Sequence, residues 1–105
     1  MSDAQFLYLD TLGWKSGKNH RIEIWYVEFN NKYYIISERG ERAHWIQNIR
    51  HNPNVKFGIS NKIIEGTARV VSPLTEADLA AQISKLMDSK YKWSQGSIVE
   101  LKPLG

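Results

Sequence analysis

The 105-residue sequence contains no cysteine. Disulfides, thiolate zinc sites, iron–sulfur ligation and cysteine nucleophiles are therefore excluded, and a cytoplasmic location is expected. Long apolar runs are also missing, since no stretch approaches the roughly 18 apolar residues of a membrane-spanning helix. Asp3 stands in the N-terminal region where a signal peptide needs cations. We expect neither a membrane span nor a secretion signal.

Convergent metal ligands and catalytic pairs are missing as well. The three histidines, His20, His44 and His51, have no metal-ligand spacing and no cysteine or clustered carboxylate beside them. Glu23 and Glu28 fall on opposite faces of one predicted strand. The sequence therefore predicts no metal site, no catalytic acid–base pair and no nucleophile.

The composition that is present belongs to a globular chain. The sequence is 42% hydrophobic and 24% charged, which is far from the disordered classes. A chain of this length closes one core without cross-links, so residues 1–105 are predicted to form a single domain. The net charge of +3 is concentrated between Lys15 and Arg21, which favours an anionic partner at that place.

The apolar pattern predicts a mainly β (α+β) fold with about six antiparallel strands and two helices, closed or half-closed into a small barrel. Residues 21–29 are apolar on both faces, with one face in a core and the other under a helix or a second subunit. Trp25 in this strand is interpreted as a core or interface residue. Turns are predicted at Asn30-Asn31 and at Asn61-Lys62. The predicted strands are 6–9, 21–29, 32–37, 55–59, 64–70 and 97–103.

Two helices complete the prediction. Trp45, Ile46 and Ile49 recur at helical spacing, and Pro53 ends this short helix at or before Asn52. A longer helix follows Pro73, with Thr75 as the expected N-cap. Its buried stripe is formed by apolar residues at helical spacing, namely Leu79, Ala80, Ile83, Leu86 and Met87.

The basic loop, residues 13–21, carries the clearest binding signal. Lys15, Lys18 and Arg21 supply charge, Ser16 supplies a hydroxyl, and the small residue Gly17 lets backbone N–H groups approach an anion. The Walker phosphate-loop spacing is absent. A solvated basic turn without a ligand remains the alternative.

Aromatic residues lie beside cations at two places. Trp14 is inside the basic loop, and Trp45 follows Arg42 closely. Such pairs bind planar phosphorylated ligands, and they also stack nucleobases. A basic barrel that binds nucleic acid through Trp14, Tyr33, Tyr34 and the loop cations therefore remains a disfavoured alternative.

Four ordered motifs carry a family resemblance from about Leu9 to Val71. They are "DTLGWKSGKNHRIEIWYV", a hairpin ending "YYIIS", "WIQNIRHNPNVKFGI" and "IIEGTARVV". Together they resemble the deazaflavin (F420)-dependent nitroreductase and quinone reductase family. The family pattern has Arg before Lys-Ser-Gly, whereas this sequence has Trp14, and it has Thr-Pro where this sequence has Ile22-Glu23.

This resemblance implies a split β-barrel like that of the pyridoxamine 5′-phosphate oxidase group. Such proteins are usually homodimers, and the cofactor is expected near the interface. Coenzyme F420 is the first choice of cofactor and FMN the second. The cofactor-binding residues implied by the matched motifs and their basic and aromatic neighbours are Trp14, Lys15, Ser16, Gly17, Lys18, Arg21, Ser37, Arg42, Trp45 and Asn48.

The implied activity is hydride transfer from the reduced cofactor to a small-molecule acceptor, a quinone or a nitro compound. The cofactor carries the chemistry in such an enzyme, and the protein binds and orients it. This is consistent with the absence of a predicted acid–base pair. A non-catalytic carrier of flavin or F420 is the alternative that sequence does not separate from the enzyme.

Overall fold

A computed structural model describes residues 6–104, except for the side chain of Glu41. Within this range the chain forms seven strands, two α-helices and a 3-10 turn at Gly40–Arg42. The strands are β1 (Phe6–Leu12), β2 (Asn19–Trp25), β3 (Val27–Phe29), β4 (Lys32–Ser37), β5 (Asn54–Ile59), β6 (Lys62–Val71) and β7 (Ser97–Pro103). The helices are α1 (His44–His51) and α2 (Ala77–Tyr91). Within residues 6–104 the structure has no helix with the length and apolar character needed to cross a lipid bilayer.

All seven strands belong to one sheet in the order β2-β1-β5-β6-β7-β4-β3, and every pair is antiparallel. The two edge strands, β2 and β3, are separated in sequence only by Tyr26. Because one continuous segment thus supplies both edges, the sheet must curl until its edges approach. The predicted mainly β barrel with antiparallel strands and two helices is confirmed.

The prediction of one strand over residues 21–29 is wrong. The chain changes partner at Tyr26, since Ile24 on β2 pairs with Leu7 on β1, whereas Val27 on β3 pairs with Tyr34 on β4. An apolar pattern records burial but not the identity of the neighbouring strand, so it did not reveal the change. The first strand is also longer than predicted and continues to Leu12.

The two apolar faces of this segment are buried in different places. Tyr26 lies in the barrel interior, where Ile22 and Ile24 pack against the core. Val27 lies on the opposite face, in a cluster under α2 that includes Ile83 and Met87. The second face was predicted to lie under a helix or a second subunit, and the structure shows the helix α2.

The turns show how closely local sequence determines this fold. Asn30 and Asn31 have positive φ angles of 52° and 63°, as a two-residue type I′ hairpin requires. The second hairpin turn lies at Ser60 and Asn61, one residue before the predicted pair. Thr75 is not an N-cap, because α2 begins at Ala77. The other helix predictions, including the end of α1 before Asn52, are confirmed.

Candidate cofactor-binding cleft

The main cleft, with a volume of about 750 Å³, opens between β2 and the segment that joins β4 to α1. His20, Ile22 and Ile24 line it from β2, and Arg42 and Trp45 line it from the other side. Its volume lies within the roughly 300–1,000 Å³ that cofactor and small-molecule sites usually occupy. The cleft follows β2 for five residue steps, or roughly 17 Å at 3.3 Å per residue.

One end of the main cleft is aromatic. Phe6, Trp25 and Trp93 line it. The Trp25 ring stacks on Tyr91 with centroids 4.7 Å apart and planes 3° apart, and Trp93 meets Trp25 edge-on at 6.1 Å. The Trp25 indole N–H is buried and has no acceptor among the described residues. This end presents flat apolar surface and one buried donor without a partner. The interpretation of Trp25 as a core or interface residue missed its place in the cleft wall.

The segment before α1 lines the other side of the cleft with more cationic than anionic groups. Its lining residues are Arg39 and Arg42 together with Glu38, and His44 follows at the start of α1. The first turn of α1 contains no acidic residue, and its N-cap, Ala43, offers no side-chain acceptor. The positive end of the helix dipole is therefore not neutralised by its own first turn. This side of the cleft favours anionic groups.

Ser37 lies between these two regions. Its side chain is buried, and its hydroxyl donates a hydrogen bond of 2.9 Å to the Gly40 carbonyl. Ser37 lines the main cleft, and its own carbonyl lies against the backbone of Gly96. Ser37 is thus held in place from two sides.

In the structure, residues 19–21 of the basic loop belong to β2, and residues 13–18 form a closed turn. The Gly13 N–H donates to the Lys18 carbonyl at 2.7 Å, and the Gly17 N–H donates to the Gly13 carbonyl at 2.8 Å. The Ser16 hydroxyl oxygen accepts the Lys18 N–H at 3.2 Å. Lys15 and Lys18 are exposed, so their charges remain available to a ligand.

Helix α1 anchors this turn. The backbone N–H of Trp14 donates a hydrogen bond of 3.2 Å to Asn48 Oδ1. Asn48 Nδ2 in turn donates a hydrogen bond of 3.0 Å to Thr11 Oγ1. The Trp14 ring stacks on His51, and Lys15 Nζ lies 4.9 Å from the centre of the Trp14 ring. These contacts explain why a tryptophan occupies an exposed loop.

Nine of the ten predicted site residues fall into three groups. Ser37, Arg42 and Trp45 line the main cleft. The five residues 14–18 lie at the end where His20, itself a lining residue, approaches Gly13. Asn48 lies behind the loop and holds it.

Arg21 is set apart from the other nine. Its guanidinium pairs with Asp10 at 2.8 Å on the outer face of the barrel. Hydrogen bonding from Arg21 holds the pKa of Asp10 below its usual value. The structure does not bring Arg21 together with the cleft residues.

Sequence reasoning missed several lining residues. His20 was considered only as a metal ligand, although it shares its strand parity with Ile22 and Ile24, and that parity could have placed it in the cleft. Trp93 carries no such signal, because more than sixty residues separate it from β2 and only the tertiary fold joins them.

A family model described as F420H(2)-dependent quinone reductase matches residues 1–98. The chain belongs to this family. The sequence motifs resemble the F420-dependent nitroreductase and quinone reductase family, and membership of the quinone reductase family confirms this resemblance. It also confirms the prediction of coenzyme F420 as the cofactor. The predicted activity is supported as far as an F420-dependent oxidoreductase.

Solved structures share the fold. A Listeria innocua protein assigned as a pyridoxamine 5′-phosphate oxidase has 14% identity over 96% of this chain and 85% of its own, with a TM-score of 0.75. An F420-H2 dependent reductase, FDR-A, has 24% identity over 93% of this chain and 94% of its own, with a TM-score of 0.63. A structure described as a domain-swapped dimer has 23% identity over 95% of this chain and 81% of its own, with a TM-score of 0.76. No curated protein matches the chain. The split-barrel prediction is confirmed by these structures.

Proposed function

We propose that this protein transfers a hydride from reduced coenzyme F420 to a quinone or a nitro compound bound in the main cleft. The observation that carries the proposal is the layout of this cleft. An aromatic end, a cationic side and an anchored basic loop lie along one strand of a chain from the F420H(2)-dependent quinone reductase family. The similarity to a solved F420-H2 dependent reductase supports the same activity.

The residues present fit a long cofactor with a planar ring and an anionic tail. The orphaned indole N–H of Trp25 is a donor that a ring oxygen or nitrogen can satisfy. Lys15, Ser16, Gly17 and Lys18 would hold the phosphate of the tail through charged and backbone donors. Arg42, Trp45 and Ser37 would contact the ring or the adjoining chain. FMN also has a planar ring and an anionic tail, and it remains the alternative cofactor.

When bound, F420H2 supplies the hydride. The protein's own residues hold donor and acceptor in contact and limit water at the aromatic end. Reduction of a quinone to a hydroquinone consumes one hydride and one proton. Solvent at the open side of the cleft can supply that proton. No nucleophile is needed.

An anaerobic turnover assay tests the proposal. F420H2 is mixed with the protein and a water-soluble quinone or nitroaromatic compound, and the absorbance of oxidised F420 is followed. We expect oxidation that depends on both protein and acceptor. Absence of turnover with a panel of quinones and nitro compounds would reject the reductase. Tight F420 binding without turnover would favour the carrier, and salt-sensitive oligonucleotide binding without F420 binding would favour the nucleic-acid barrel.

Two further assignments belong to this proposal. Residues 1–105 form a single cofactor-binding domain, and the protein is a homodimer with the cofactor near the interface. The similarity to a structure described as a domain-swapped dimer supports dimerisation. A cytoplasmic location stays a prediction.

A further inference from the structure

Tyr91 lies behind the aromatic end of the main cleft and continues the buried face of α2. It is the last residue of this helix, and it follows Ile83 and Met87 at steps of four residues, which places all three on one face. Ile83 and Met87 are fully buried, and Tyr91 packs against their cluster. Among the described residues, Trp25 and Trp93 line the main cleft and Tyr91 does not. Tyr91 can therefore act on a ligand there only through its neighbours.

The hydroxyl of Tyr91 holds the backbone at the change of strand. It donates a hydrogen bond to the carbonyl of Tyr26, the residue between β2 and β3. The register pairs Trp25 and Val27 with different strands, and it gives Tyr26 no strand partner. Because buried carbonyl groups need donors, the Tyr91 hydroxyl supplies one at the point where the ladder is interrupted.

The ring of Tyr91 holds the indole of Trp25. The two rings are stacked, with centroids 4.7 Å apart and planes 3° apart. Trp93 meets the Trp25 ring edge-on, and Phe6 is tilted to it by 45°. Of these three aromatic neighbours, only Tyr91 covers a face of the indole. Rotation of the indole out of its plane would break this stack, so a residue of α2 sets the plane of a cleft-lining side chain.

The plane of the Trp25 ring decides where its N–H can point. This N–H is buried and has no acceptor among the described residues, and a buried donor without a partner is costly until a ligand satisfies it. The N–H bond lies in the indole plane, and a hydrogen bond weakens steeply as it departs from linearity. The orientation that Tyr91 imposes therefore controls the hydrogen bond that Trp25 can offer to a ring in the cleft.

We propose that Tyr91 is a positioning residue for the reaction in the main cleft. It fixes the Trp25 indole in the plane in which the N–H meets the ring bound at the aromatic end, and it does so without touching that ring. The inference rests on the proposed function, because it concerns how the cofactor and acceptor rings are placed. Reacting atoms must lie about 3–3.5 Å apart, and a misplacement of about 1 Å can cost on the order of 100-fold in rate. A rotated indole is therefore enough to slow turnover.

Three variants separate the ring of Tyr91 from its hydroxyl and from its packing under α2. Tyr91→Phe keeps the stack on Trp25 and removes the hydroxyl. Tyr91→Leu removes both and leaves an apolar side chain in the cluster. Phe29→Leu is the matched control, because Phe29 packs against the same cluster and does not line the cleft within the described part of the chain. Both leucine variants should lose stability, but only Tyr91→Leu should release the indole.

Nuclear magnetic resonance of the isotope-labelled protein observes the indole N–H groups directly. A spectrum of Trp25→Phe identifies the Trp25 signal by its loss. Without ligand, this N–H should exchange slowly with solvent because it is buried, and added oxidised F420 should shift its signal. In Tyr91→Leu we expect exchange at least about tenfold faster, through local opening, and loss of the F420-induced shift. Tyr91→Phe and Phe29→Leu should resemble the wild type.

Turnover gives a second measurement. With F420H2 and a quinone at saturation, Tyr91→Leu should lower kcat by about tenfold or more. Its dissociation constant for F420 should rise by only about two- to tenfold, the effect of losing one neutral hydrogen bond. Tyr91→Phe should retain most of kcat, and so should Phe29→Leu. All rates are divided by the folded fraction from circular dichroism, so a loss of stability alone does not lower kcat.

The outcomes separate the possible failures. An unchanged Trp25 signal in Tyr91→Leu overturns the positioning role, and so does an equal loss of kcat in Tyr91→Leu and Phe29→Leu. A Tyr91→Phe variant as impaired as Tyr91→Leu overturns the role of the stack. A wild-type protein that reduces no acceptor rejects the proposed function instead. The exchange rate of the Trp25 N–H without ligand still decides whether Tyr91 holds the indole in that case.

Discussion

The Trp14 indole lies flat on the His51 imidazole, with ring centroids 4.2 Å apart and planes inclined by 10°. His51 is the last residue of α1, and His44 and Trp45 at the other end of that helix line the main cleft. One short helix therefore fixes both the position of the basic loop and one wall of the cleft. The family's usual arginine at position 14 would supply charge, whereas Trp14 supplies an anchor.

Removing this anchor should weaken cofactor binding without slowing the chemistry. Stacked aromatic pairs contribute about 0.5–1.5 kcal/mol, so Trp14→Ala is expected to raise the dissociation constant for F420 by roughly three- to tenfold, with kcat unchanged. His51→Ala should have a similar effect, and His51→Phe should restore affinity because it keeps the stack. Fluorescence titration with F420 measures this. Equal affinities for His51→Ala and His51→Phe would contradict the anchoring role.

The exposed loop lysines should contribute to cofactor affinity through charge. Loss of one charge-assisted hydrogen bond costs about 1.5–3 kcal/mol, so Lys15→Ala and Lys18→Ala should each weaken F420 binding by at least about tenfold. The effect should shrink at high salt because these side chains are solvated. Lys85→Ala, on the exposed side of α2, is the matched control and should bind F420 normally. If all three variants bind alike, the basic loop is a solvated turn.

The aromatic end of the cleft should hold the acceptor against the cofactor ring. Trp93→Ala removes the edge contact to Trp25 and part of the apolar wall. We expect the KM for a quinone to rise by about tenfold or more, given the roughly 1.5–3 kcal/mol that a buried large apolar side chain contributes. Affinity for F420 should change less, and Trp93→Phe should recover most of the loss. A larger effect on F420 affinity than on quinone KM would show that Trp93 contacts the cofactor ring and not the acceptor.

Gly96 should be essential for the position of Ser37. Its φ angle is +130°, and a Cβ there would lie 1.9 Å from the Ser37 carbonyl oxygen. Gly96→Ala is therefore expected to destabilise the fold by about 3 kcal/mol or more, through backbone strain and steric displacement. Gly17→Ala is the comparison, because a Cβ at Gly17 meets no atom within 4 Å and its cost should be only about 1–2 kcal/mol. Urea denaturation measures both.

A buried carboxylate should make the fold sensitive to acid. Glu100 is almost fully buried and accepts hydrogen bonds from Tyr34 at 2.8 Å and Arg69 at 3.0 Å. Burial opposes its ionisation, but these hydrogen bonds and the Arg69 charge hold the pKa of Glu100 below its usual value. The pKa of Glu76, the second carboxylate bound by Arg69, is also lowered, chiefly by its hydrogen bonds to that guanidinium.

Because both pKa values are lower in the folded state, their stabilisation is complete above the unfolded value of about 4 and is lost as pH falls through the folded values. Arg69→Ala should cost about 2–3 kcal/mol at neutral pH, since it leaves a buried acceptor short of donors. The difference from wild type should narrow near pH 2. Urea denaturation at both pH values measures this, and an Arg69→Ala defect that is independent of pH would contradict the linkage.

The alternating and helical patterns of apolar residues were enough to predict most strands and helices, because the spacing of apolar residues follows from which face of an element is buried. Lys32–Ser37, Ser97–Pro103 and α1 were predicted from residues adjacent in sequence. The double asparagine turn followed from the φ angles that asparagine tolerates. The motifs of the basic loop and α1 then gave the resemblance to the family, which the family model confirms.

Tertiary structure decided the points that depend on which distant residues become neighbours. The break at Tyr26 arises because β2 and β3 join different partners, and no local pattern encodes a partner. The aromatic end of the cleft brings Trp93 to Trp25, and the basic loop is held by a residue 37 positions away, from Trp14 to His51. Sequence alone thus determined most of the elements through local spacing, and its motifs gave the family resemblance from which the cofactor was expected. The fold decided the cleft, since a cleft exists only where closure of the barrel brings separate segments together.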